Sequence, residues 1–250
     1  MFRWVRNTVQ TIWFFFKFAT ILAVGYLLLM GLLWLLRHPT LATMTQSSAS
    51  AADFWGRVET AVKAMGGVFL LTWGLRFLDQ FFLRGRLTSG LSLASRGSFS
   101  LISLFTFPFV HGSYGHLLGN TPLLLLFGGL AILFLPTVTL LVEVLLFIFL
   151  VQGVGVWLFG ARNGRTVGAS GLVLAFYGFD VAHGLFAGGW VTVIAMALLL
   201  FFGRRMFRVL LSRGKTAEGA PISTAGHLWG FLSGIFAAYL ISPFGPLAVG

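Results

Sequence analysis

Polar and apolar positions in this chain do not alternate with the short period of a soluble amphipathic fold; they fall into long blocks. From Thr11 to Leu36 the chain is apolar apart from Lys17, whose aliphatic stem can lie in hydrocarbon while its ammonium reaches the interface. Similar blocks cover residues 62–83, 113–134, 137–159, 168–186, 190–203 and 223–242. A spanning helix needs about 20 mostly apolar residues, so the pattern predicts seven spans, the first of them a leading helix within residues 1–37. Residues 38–61 are polar and Ser/Ala-rich and predict a linker with a short interfacial helix around Phe54 and Trp55. The second block carries Arg76 and Asp79 near its end, spaced i,i+3 and therefore able to pair on a helix. Residues 84–110 predict an irregular segment broken by Gly90, Gly97 and Pro108, whose apolar patch 99–109 is too short to cross. The small residues Ala49, Ser50 and Ala51 resemble a leader-cleavage site. Yet the preceding run far exceeds the apolar stretch of a signal peptide, about 7–15 residues, and reads as a retained span.

Composition fixes the class. With 58% hydrophobic and 9% charged residues among 250, the chain has more apolar surface than one soluble core can bury. It reads as an all-α, multi-pass integral membrane protein with the lipid bilayer as its main partner. The formal charge of +11 suggests nucleic acid only until its distribution is considered. Lys and Arg stand at the ends of apolar blocks, where they report membrane orientation, not in a stripe interleaved with aromatics. Nucleic acid is therefore not expected as a partner. The absence of cysteine excludes a disulfide framework, a thiolate nucleophile and a cysteine-ligated metal.

Polar groups inside hydrocarbon are expensive and point to function. Three stretches concentrate them: His111, His116 and Asn120 where one block begins; Gly168, Ala169, Ser170 and Gly171 where another does; and Gly226, His227, Gly230 and Gly234 at a third. Counting crossings places the loops 84–110, 160–167 and 204–221 on one side of the membrane. All three stretches then lie at one depth. A serine hydroxyl becomes nucleophilic when a neighbouring base takes its proton, and histidine suits that role near neutral pH. Ser170 and His227 form the expected pair. Gly168 and Gly171 open space at a helix N-terminus, where free N–H groups can meet a developing oxyanion. Gly230 and Gly234 follow His227 on one helical face, a small surface that lets a neighbouring helix approach closely. His116 and Asn120, at i,i+4, share a face and can converge on the same oxygen, with His111 in support just before them at the membrane surface. Asp180 is about 15 Å down the helix from Ser170, too far to complete a triad. It is expected to pair with His183, and Glu143 is a further intramembrane carboxylate.

These motifs, in this order and spacing, resemble the rhomboid intramembrane serine proteases over about residues 62–242. Gly178, eight residues after the serine, and the lead-in 107–112 (Phe-Pro-Phe-Val-His-Gly) add to the likeness. The resemblance implies a six-helix catalytic core over residues 62–250 preceded by one extra transmembrane helix. It also implies an endopeptidase with Ser170 as nucleophile and His227 as base, and an oxyanion hole of His116, Asn120 and the Ser170 N–H. No metal or cofactor is implied, and the substrates are transmembrane helices of other proteins. Two positions depart from the family pattern. Leu174 stands where an aromatic usually stacks on the catalytic histidine, and the Trp-Arg pair of the first long loop is missing.

Orientation is read differently from charge and from resemblance. If residues 11–36 cross, the site-side loops carry twelve cations, from Arg3 and Arg6 through Arg84, Arg96 and Arg165 to Lys215, against Arg37, Arg57 and Lys63 opposite. The positive-inside rule turns that face to the cytoplasm, whereas bacterial relatives, held in the inner membrane, usually turn it outward. Two other functions stay open at the level of sequence. One is a catalytically inactive rhomboid-like protein that binds membrane clients; the other is a small transporter using Glu143, Asp180 and His183 as a proton path.

Overall fold

The computed structural model describes residues 48–215, 222–243 and 245, and the expected first span lies outside them. The described residues from 56 onward form one compact unit, and the site belongs to it. The described chain is almost wholly helical. Helix α1 (Ser48–Leu78) ends in a π-helical turn (Asp79–Leu83), followed by α2 (Arg86–Leu91), β1 (Leu93–Ala94) and α3 (Leu101–Thr106). Then come α4 (Tyr114–Phe134), α5 (Val138–Phe159), β2 (Arg165–Thr166), α6 (Ser170–Ala187), α7 (Gly189–Leu210) and α8 (Thr224–Leu240).

Among the described residues, four helical stretches are long and apolar enough to cross a membrane: 53–83, 114–134, 138–159 and 170–187. The last two helices are of a different kind. Helix α7 carries Arg204, Arg205 and Arg208 in its final turns, and α8 is only 17 residues long. The helix expected around Phe54 and Trp55 is present, and it runs on without a break into the following apolar block.

Helix starts follow local chemistry. Ser113, Thr137 and Ser223 accept hydrogen bonds from the N–H groups of His116, Leu140 and Gly226 at 3.0, 3.2 and 3.1 Å, each relieving a donor that the helix itself leaves unpaired. Helix α6 is the centre of the fold. It is apolar on every face, the signature of a helix surrounded by others, and residues 171–180 are all buried. Phe127, Ile148, Leu174, Phe179, Met206 and Ala238 bring α4 to α8 into one core.

The closest packing is between α6 and α8. A methyl group at Gly230 would strike the Gly171 carbonyl, and one at Gly234 the Ala175 carbonyl; one at Gly178 would come within 2.7 Å of the Phe231 carbonyl. Backbone meets backbone along this seam because no side chain intervenes.

The long segment after α1 contains more order than expected. Asp79 accepts from the N–H groups of Leu87 and Thr88 at 2.8 and 3.0 Å, so it caps α2. Arg76 does not form the expected ion pair with it. Its guanidinium instead donates to Gln80 and to the His111 carbonyl (3.4 Å), and lies 5.2 Å from the centre of the Tyr114 ring. Strand β1 pairs antiparallel with β2, Leu93 opposite Thr166 and Ala94 opposite Arg165. That two-residue ribbon ties the long segment to the loop that leads into Ser170.

The second expected polar pair is also absent. Asp180 is fully buried, yet neither of its carboxylate oxygens meets a partner, and His183 Nδ1 is unpartnered as well. The His183 ring lies flat on Phe179, with centroids 5.4 Å apart and planes at 4°. That face-to-face contact turns the imidazole to the aromatic side of the helix. Glu143 is exposed on the outer face of α5.

Candidate active site

The three polar stretches meet at one end of the bundle around a cavity of about 290 Å³. Its wall includes His116, Asn120, Gly168, Ser170, Gly171 and His227. Ser170 opens α6 and His227 lies in the first turn of α8, so the glycine seam between these helices brings the two side chains together. His227 Nε2 and Ser170 Oγ are 2.9 Å apart, a hydrogen-bond distance. Ser170 is half-buried and His227 is 5% exposed, so the pair faces the cavity rather than bulk solvent.

Two features hold the start of α6. Gly168 has φ +102, and a side chain there would run into the His116 ring. Glycine is therefore required for both its backbone angle and its close approach. Beyond it, the Ala169 N–H donates to His111 Nε2 at 3.1 Å, and the Gly168 N–H to the Phe107 carbonyl at 3.0 Å. His111 is thus a buried brace, 1% exposed. Asn120 Nδ2 also approaches His111 Nε2, at 3.4 Å, and the His111 and His116 rings meet edge to face with centroids 5.3 Å apart. Burial, reinforced by the neighbouring His116, pushes the pKa of His111 down to about 3. The ring is neutral at physiological pH, as an acceptor for the Ala169 N–H must be.

Two polar side chains in the wall escaped the motif reading. Gln152, fully buried on α5, donates from Nε2 to the Gly226 carbonyl at 3.4 Å and leaves Oε1 without a partner. An amide inside an apolar block carried the same signal as the histidines. Ser212, just beyond α7, lies 3.2 Å from His227 Nδ1. It stands in a cationic loop where a serine is unremarkable, so nothing in the sequence marked it. Leu174 is fully buried in the core. No cluster of metal-ligating side chains is found among the described residues.

A serine hydroxyl against an imidazole nitrogen, beside a histidine and an asparagine at a helix start, can form and shield an oxyanion. The fold and the cavity together define an integral membrane protein with a serine- and histidine-lined site set among its spans. Residues 98–244 match the Rhomboid domain model, and the chain belongs to the rhomboid family. An uncharacterised protein of Mycobacterium bovis is 33% identical over 141 residues, 54% of this chain and 57% of that protein. One from Mycobacterium tuberculosis H37Rv matches to the same extent. An uncharacterised protein of Mycobacterium leprae is 30% identical over 189 residues, 71% of this chain and 72% of its own. The chain thus spans little more than half the length of the first two relatives.

Proposed function

We propose that this protein is an intramembrane serine endopeptidase that cleaves transmembrane segments of other membrane proteins in a bacterial inner membrane. The observation that carries the reading is the 2.9 Å approach of His227 Nε2 to Ser170 Oγ inside a cavity at the end of the bundle. His227 takes the hydroxyl proton as Ser170 Oγ attacks the scissile carbonyl, and returns it to the leaving amine. His116, Asn120 and the N–H groups that open α6 receive the negative charge on the carbonyl oxygen. Water then hydrolyses the acyl-enzyme with His227 again as base. The substrate helix must unwind locally, because a peptide bond in an intact helix is shielded by its own turn.

The retention of serine, base and both side-chain donors disfavours an inactive client-binding protein. The transporter reading loses support because Glu143 is exposed while Asp180 is sealed in the core. The test is cleavage of a single-span substrate by purified protein in lipid. Ser170→Ala and His227→Ala should each abolish cleavage, and a fluorophosphonate should label the wild type at Ser170. A folded wild type that neither cleaves a panel of substrates nor reacts with the probe would return the reading to client binding.

A further inference from the structure

A general base in a dyad must present a bare nitrogen to the nucleophile. A neutral imidazole has two tautomers, and only the one protonated at Nδ1 leaves Nε2 free for Ser170. The sequence has Leu174 at the position where the rhomboid pattern carries an aromatic that stacks on this ring. Tautomer and orientation therefore need another source.

The hydrogen bonds at Ser212 supply one. Its hydroxyl lies 2.6 Å from the Val209 carbonyl, which can only accept. The single hydroxyl proton is therefore committed, and the oxygen can meet other groups only as an acceptor. His227 Nδ1, 3.2 Å away, must then be the donor in that contact. Nδ1 carries the proton, and Nε2 presents its lone pair to the Ser170 hydroxyl at 2.9 Å. The support is itself braced. Thr224 donates from Oγ1 to the Ser212 carbonyl at 3.2 Å, joining the chain after α7 to the start of the helix that carries His227.

We infer that Ser212 is a positioning residue that fixes the base-competent tautomer of His227, the chain Val209 carbonyl, Ser212 hydroxyl, His227 imidazole and Ser170 hydroxyl acting as one relay of oriented donors. The inference rests on the protease reading for its consequence, but its geometry stands apart from it. The Val209 carbonyl also faces the imidazole, so the competing account is that this carbonyl orients the ring without the serine.

The experiment compares wild type, Ser212→Ala and Ser212→Thr in lipid, by cleavage kinetics and by 15N spectra of histidine-labelled protein at pH 8. The His227 signals are assigned by their loss in His227→Gln. In the wild type, Nδ1 should give the protonated and Nε2 the unprotonated resonance. Ser212→Ala should mix the two tautomers and lower kcat about tenfold or more with KM little changed, the pattern of a mis-set base. Ser212→Thr, which keeps the hydroxyl, should restore both spectrum and rate. An Nε2-protonated wild type overturns the inference, as does Ser212→Ala with an unchanged spectrum, whatever its rate. If Ser212→Ala fails to fold, the wild-type and Ser212→Thr spectra decide. If Ser170 proves unreactive, the protease reading fails while the spectra still test the tautomer.

Discussion

His111 shows how one side chain can be structural and still govern the chemistry. Its Nε2 accepts from the Ala169 N–H, immediately before Ser170, and so it must stay neutral. An unfolded histidine titrates near 6.5, while burial holds the folded one at about 3. Between those values the unfolded chain binds more protons than the folded one. Stability should therefore be complete above pH 6.5 and fall as pH drops below it, by up to ~1.4 kcal/mol per pH unit from this group. Unfolding in detergent at pH 7 and pH 5 measures the slope, which His111→Gln should flatten while the glutamine oxygen keeps an acceptor for Ala169. In the proposed reaction His116 and Asn120 act on charge that exists only during turnover. Replacing Asn120 with Ala should lower kcat by about 10²–10³ with little change in KM, as steady-state cleavage would read. Removing Ser170 or His227 should leave no measurable turnover.

Between elements, the decisive contact is the glycine seam of α6 and α8. Gly234→Ala drives a methyl into the Ala175 carbonyl, and backbone cannot move aside as a flexible side chain does. We expect a loss of ~1–3 kcal/mol or more together with lost cleavage, because the same seam sets the Ser170–His227 distance. Gly74→Ala, in a part of α1 where nothing lies within 4 Å, should leave both unchanged; thermal unfolding and cleavage of the two variants make the comparison. This seam was legible in the sequence, since glycines at i+3 and i+7 after His227 have a direct geometric meaning. The long apolar blocks were legible for the same reason, and α4 and α5 fall within a residue or two of their expected limits. What could not be read was pairing among residues whose partners are distant in the chain. The ribbon of Leu93–Ala94 with Arg165–Thr166 is two residues long, too short for any periodicity. The Arg76–Asp79 pair obeyed helical spacing, but backbone N–H groups of α2 and the His111 carbonyl offered better partners. Asp180 and His183 likewise had the spacing of a pair, and the aromatic face of Phe179 took the imidazole instead.

At the scale of the whole molecule, the cations gather at the end of the bundle that holds the cavity. Arg165 lines it, and Arg84, Arg86, Arg96 and Arg162 lie in the segments joined by the ribbon. From the positive-inside rule we propose that this end faces the cytoplasm. The chain has no cysteine, so Arg162→Cys gives a single reporter on an exposed loop residue. A membrane-impermeant maleimide should label it in inverted inner-membrane vesicles and not in intact spheroplasts; the reverse result would place the site outside. The glycine seam has a consequence on this scale as well. Many enzymes lose activity on heating well before they unfold, because their catalytic groups ride on loops that loosen first. Here Ser170 and His227, the proposed nucleophile and base, sit at the starts of two helices whose backbones touch, so the seam itself offers heat no weak hinge between them. Residual activity and helical structure should then vanish at one temperature, and the protein should be switched off by heat only when it is destroyed.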